Sequence, residues 1–82
     1  MITRGSMTRK QRAAVRAIHN ALAGDLNPQD VLALAMAARE AGHVVTLKEA
    51  RFAVAALVQS RDATEHVDHL TGITLYRFVG VF

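Results

Sequence analysis

Two imidazoles and two carboxylates fall within five residues at Glu65-His66-Val67-Asp68-His69. These are the side chains that hold a divalent metal or pass protons. A transition-metal site needs three or four such donors converging on one point. In an extended strand, however, side chains alternate, so Glu65 and His69 face one way while His66 and Asp68 face the other. His19 and His43 lie far away in the chain. The segment reads as a solvated strand, and neither a metal nor another cofactor is expected. The sequence holds no cysteine, which removes thiol nucleophiles, disulfides and Cys-based zinc sites. It also lacks a glycine-rich phosphate loop, a serine elbow and a pair of carboxylates in an apolar setting. An enzyme is not expected.

The second kind of chemistry is recognition of an anionic polymer. Five of the ten basic residues (Arg4, Arg9, Lys10, Arg12 and Arg16) lie within the first sixteen positions without an acid among them. Beyond position 20 the balance reverses, with five basic against seven acidic residues. A basic end on a slightly acidic body suits an anionic partner. Lys48, Arg51, Phe52 and Gln59 sit further on in a second candidate set. Lysine reaches phosphate or guanine, glutamine pairs with adenine, and Phe52 with Ala55 meets a thymine methyl. Arg9, Lys10 and Arg12, with Arg77 near the end of the chain, are candidate grips on flanking phosphates. A large aromatic among alanines is equally the mark of a protein interface, so Phe52 is also a candidate docking residue.

The elements that must carry these residues follow from caps and periodicity. Thr8-Arg9-Lys10-Gln11 has capping-box spacing, and Val15, Ile18 and Leu22 recur on one helical face. This predicts a first helix over 8–23, closed by Gly24 as a left-handed cap. Asn27-Pro28-Gln29-Asp30 predicts a second helix with Asn27 as N-cap. Its buried stripe is Val31, Leu34, Ala35 and Ala38, with Leu32 and Met36 to one side, and it stops at Gly42. His43-Val44-Val45 reads as one brief strand. Thr46-Leu47-Lys48-Glu49 is a second capping box and opens a third helix to about Ser60. On that helix Leu47, Ala50, Ala53, Val54, Leu57 and Val58 are expected in the core. Lys48, Phe52, Ala55, Ala56 and Gln59 take the outer face, and Arg51 and Arg61 lie near the boundary. Residues 64–70 and 73–79 read as two strands joined at Thr71-Gly72. In the second of them Ile73, Leu75, Arg77 and Val79 alternate with Thr74, Tyr76 and Phe78.

The order helix, helix, strand, helix, strand, strand (α-α-β-α-β-β) predicts a winged helix-turn-helix, mainly α with a small sheet. The 82 residues allow one domain. Residues 1–6 read as a vector-derived remnant, which leaves 7–82 as the domain. Hydrophobic residues make up 51% of the chain, much of it alanine, so a thin and tightly packed core is expected. No apolar run approaches the roughly 18 residues of a membrane span, and the expected setting is cytoplasmic. The apolar tail Val79-Gly80-Val81-Phe82 and the greasy second helix are candidate subunit contacts.

Residues 8–79 resemble the N-terminal DNA-binding domain of the ferric uptake regulator family. The similar stretches are Arg12-Ala13-Ala14-Val15, Asn27-Pro28-Gln29-Asp30-Val31, Gly42-His43-Val44-Val45-Thr46-Leu47 and Tyr76-Arg77-Phe78. The resemblance implies a winged helix whose third helix reads DNA. That family reads DNA through a Tyr-Arg pair, and Arg51-Phe52 holds the aligned positions here. The family's metal-binding dimerisation domain has no counterpart in these residues. The combined expectation is a transcriptional regulator that binds duplex DNA as a homodimer. The rival expectation is a protein-interaction module, for example a phage- or plasmid-encoded modulator of a host complex, docking through the Phe52 face.

Overall fold

The computed structural model describes residues 7–80. Residues 1–6, expected to be a remnant, and Val81 and Phe82 of the apolar tail lie outside the described residues. The elements are α1 (Arg9–Gly24), α2 (Val31–Glu40), α3 (Leu47–Gln59), β1 (Ala63–Val67) and β2 (Thr74–Phe78). Three helices and a two-stranded antiparallel sheet make a mixed α/β fold. Among the described residues no helix is long and apolar enough to cross a membrane.

Both capping boxes close as their spacing predicts. Gln11 N–H donates to Thr8 Oγ1 at 3.1 Å, and Thr8 N–H donates to Gln11 Oε1 at 2.8 Å. At α3, Glu49 N–H donates to Thr46 Oγ1 at 3.1 Å and Thr46 N–H donates to Glu49 Oε1 at 3.0 Å. Each box satisfies two backbone or side-chain partners that a helix start otherwise leaves open. Gly42, at φ 95°, ends α2 with paired bonds from Gly42 N–H to Arg39 O and from His43 N–H to Ala38 O. The same motif ends α3, with Arg61 N–H on Val58 O and Asp62 N–H on Leu57 O. There the left-handed position is held by Arg61, at φ 66°, where glycine is the usual occupant.

Two local expectations are corrected. Gly24 is the last residue of α1 and is not left-handed, because the chain leaves the helix through an extended Asp25. The N-cap of α2 is Asp30, whose Oδ1 accepts Ala33 N–H at 2.8 Å. Asn27 instead donates its backbone and side-chain N–H groups to Asp25 Oδ1. The later start has a tertiary cause. Gln29 exchanges two backbone bonds with Tyr76, at 2.9 and 2.7 Å, and an extended residue at 29 forbids a helix before it.

That bridge also explains why His43-Val44-Val45 forms no strand. β2 already has β1 along one edge and Gln29 on the other, while His43 N–H is committed to the α2 cap. Val44 is 83% exposed, and Val45 packs partly against the core. The sheet therefore gains its third participant before α2 and not before α3. The hairpin is shorter than its sequence reading, with Ala63 paired to Phe78 at the base and Val67 to Thr74 at the far end.

Among the described residues, eight of the thirteen buried hydrophobic side chains are alanines. The large fully buried side chains are Ile18, Leu22, Leu34 and Val54, one or more from each helix. Tyr76 and Phe78 of β2 cover this core from the hairpin side, and Phe78 meets His19 edge-on with ring centroids 5.3 Å apart. The core is as thin as the composition implies, and its packing depends on close helix approach.

Candidate nucleic-acid interface

α1 displays its basic residues on the side away from the core. Ala14, Ala17, Ile18 and Leu22 are buried, while Arg9, Arg12 and Arg16 are exposed. Spacings of three and four residues place the three guanidiniums in one stripe along the helix. Arg16 was counted in the basic end of the sequence but not among the candidate phosphate grips, although this spacing marks it. Lys10 lies round the flank, in a groove shared with Val44, Val45, Thr46 and Glu49 at the start of α3. The Glu49 carboxyl is held below its ordinary range, mainly by the backbone and side-chain hydrogen bonds of Thr46, with Lys10 adding attraction.

On α3, Lys48, Arg51, Ala55 and Gln59 are exposed. Phe52 is half-buried and Ala56 is buried, so the outer face is narrower than expected. Leu47, assigned to the core from the sequence, is 44% exposed. The helix is turned by roughly half of the 100° residue step from its predicted orientation. The reason lies in its composition: Ala50, Ala53 and Ala56 let one flank of the helix approach its neighbours closely, and Leu47 is rotated out. Phe52 is thus not the protruding aromatic that a docking face requires.

The basic residues among the described ones do not gather into one cluster. Arg12 and Arg16 open on a groove with Val15, His19, Leu57 and Asp62, beside the end of α3. Arg51 opens on a different groove between the starts of α2 and α3 and the hairpin, lined by Asp30, Leu32, Leu47, Ile73 and Tyr76. Arg77 is exposed at the base of the hairpin, opposite Thr64. The hairpin tip carries no arginine or lysine, and its most prominent side chain is Leu70, 96% exposed. The apolar groove of Leu32, Leu47 and Ile73 was not recognised in the sequence, because its three residues come from separate elements.

No known protein family, curated protein or solved structure matches this chain.

The hairpin histidines behave differently from a simple alternation. β1 stops at Val67, and the turn brings the His66 and His69 rings to 6.2 Å, edge to face. Asp68 serves the turn, accepting Leu70 N–H on Oδ1 at 2.9 Å and Gly72 N–H on its carbonyl at 2.7 Å. Among the described residues no three His, Asp or Glu side chains gather as metal ligands. The Tyr76 hydroxyl is pushed above its ordinary range, first by burial and then by Glu65, its partner across the strands. Among the described residues no polar or charged side chain is buried.

Proposed function

We propose that this chain is a winged-helix DNA-binding protein, a small transcriptional regulator that takes duplex DNA as a dimer. α2 and α3 form a helix-turn-helix pair joined through Gly42, and the hairpin follows as the wing. The second helix of such a pair is the one laid into the major groove. The observation that carries the reading is the pair of exposed polar faces, with Lys48, Arg51 and Gln59 on α3 and the Arg9, Arg12 and Arg16 stripe on α1. α3 would contact bases while α1 and Arg77 hold phosphates, which position the protein without conferring sequence information.

Fluorescence anisotropy of a labelled duplex, titrated at increasing salt, tests this. Replacing Arg9, Arg12 and Arg16 by glutamine should flatten the log–log salt slope by about 2.7, at roughly 0.9 for each neutralised phosphate. Absence of binding at low salt, or an unchanged slope, refutes the proposal.

One observation favours a second reading, protein recognition. The groove beside α3 is lined by Leu32, Leu47 and Ile73, each 44–54% exposed, and an apolar wall beside a phosphate backbone contributes nothing to DNA affinity. On this reading Leu47→Ser and Ile73→Ser abolish capture of a protein partner, whereas Arg9→Gln and Lys48→Gln leave it intact. The opposite pattern supports DNA.

A further inference from the structure

We propose that the groove between α1 and the end of α3 is a seat for a nucleoside monophosphate. Arg12, Val15, Arg16 and His19 of α1 line it on one side, with Leu57 and Asp62 on the other, around a volume of about 390 Å³. That volume falls in the range of small-molecule sites. The seat goes beyond the DNA reading, which gives the same two arginines to a duplex backbone, and it stands on the groove alone.

The groove is positive on its α1 side. Arg12 and Arg16 stand four residues apart, which puts their Cβ atoms about 5–6 Å from each other. At that spacing both guanidiniums reach one tetrahedral phosphate, and their forked N–H donors suit its oxygens. His19 follows three residues on in the same stripe. Its imidazole is set edge-on to Phe78, with ring centroids 5.3 Å apart. Leu57, only 3% exposed, lies at the floor with Val15. This apolar floor is where a flat base can rest, next to the phosphate and not in place of it.

Asp62 gives the groove its polarity. One of its carboxylate oxygens accepts the Ser60 hydroxyl at 2.7 Å, and the other is left to accept from a sugar hydroxyl or a base amine. An acid on this side also repels a second anionic group. The groove therefore suits a ligand with its charge at one end and hydrogen-bond donors at the other. A nucleoside monophosphate has that arrangement; a bare phosphate ion has no donors or flat surface to offer, and a polyphosphate carries charge too far.

Amide NMR titration of the full chain with adenosine monophosphate, without DNA, tests the seat. Saturable shifts on α1 and on residues 57–62 are expected, with a dissociation constant of about 1 mM or below. Arg12→Gln and Arg16→Gln should each weaken binding about tenfold, the loss of one charge-assisted contact, with an unchanged circular dichroism melt. Adenosine and inorganic phosphate should each bind at least about tenfold more weakly than the nucleotide. Arg51→Gln, in a separate groove, should have no effect. Shifts that do not saturate, inorganic phosphate binding as tightly as the nucleotide, indifference to Arg12→Gln and Arg16→Gln, or loss through Arg51→Gln overturns the seat. A dinucleotide whose one phosphate is an internal diester should bind more weakly. If it binds as tightly, the two arginines hold a strand backbone and the proposal falls. The DNA reading has a separate readout: a chain that takes the nucleotide yet ignores duplex overturns only the DNA reading, and a chain that binds duplex yet leaves the nucleotide free overturns only the seat.

Discussion

Thr46→Ala is the most informative single change for the helix that carries Lys48, Arg51 and Gln59. The Thr46 hydroxyl accepts Glu49 N–H at 3.1 Å, and its backbone N–H reaches Glu49 Oε1 at 3.0 Å. Removing the hydroxyl opens one half of this box and loosens the other. A lost N-cap of this kind costs about 1 kcal/mol, which lowers the melting temperature of a domain this size by roughly 4–8 °C. Thr46→Ser keeps the acceptor and should recover most of the loss. The change has a second signature in acid. The Thr46 backbone N–H, the larger cause of the depressed Glu49 carboxyl, remains in the variant, while the smaller contribution of the Thr46 hydroxyl is lost, so the Glu49 titration should move part of the way up toward the ordinary glutamate value of about 4.3. The sign follows from linkage: a depressed folded value contributes stability above the unfolded value, and this is lost as pH falls through the folded one. The deficit of Thr46→Ala relative to the parent chain is therefore full at neutral pH and shrinks below about pH 4. Thermal melts across pH and carbonyl NMR titration of Glu49 measure both effects. A deficit independent of pH, or an unmoved Glu49 titration, refutes the reasoning.

Arg61 is held at φ 66°, where a side chain costs about 1–2 kcal/mol; Arg61→Gly relieves this and should raise stability by roughly 0.5–1 kcal/mol after glycine's own entropic cost, as read by denaturant melts. Leu34 is fully buried at the centre of the alanine-rich core, so Leu34→Ala should cost about 2–5 kcal/mol and leave little folded chain at 37 °C by circular dichroism. The Tyr76 hydroxyl is raised by burial and by Glu65, so it contributes stability below its ordinary value of about 10 and loses it as pH rises through the folded value. Tyr76→Phe should flatten the alkaline fall in melting temperature.

What could be read from the sequence was local. The Thr8–Gln11 and Thr46–Glu49 boxes and the Gly42 stop involve residues a few positions apart, and types and spacing alone identify them. The Gln29–Tyr76 bridge joins backbone groups nearly fifty positions apart, and no side chain announces it. Its influence moved the start of α2 to Asp30 and left His43-Val44-Val45 without a sheet edge. The orientation of α3 escaped for a different reason. Alanine suits both an exposed and a buried face, so a helix containing Ala50, Ala53, Ala55 and Ala56 carries a weak directional signal, and Leu47 and Phe52 were misplaced by it. The same ambiguity affected the candidate interface. The arginines of α1 were legible and their spacing marked Arg16, whereas the groove of Leu32, Leu47 and Ile73 exists only after folding.

The Gln29–Tyr76 bridge also makes a mechanical linkage. It runs from the second strand of the hairpin to the residue immediately before the Asp30 cap of α2, through two backbone bonds that depend on no particular side chain at either end. Tilting the hairpin therefore pulls on the first turn of α2. A force on the hairpin is passed to the start of α2 beside it, and substitutions at position 29 other than proline leave that lever intact.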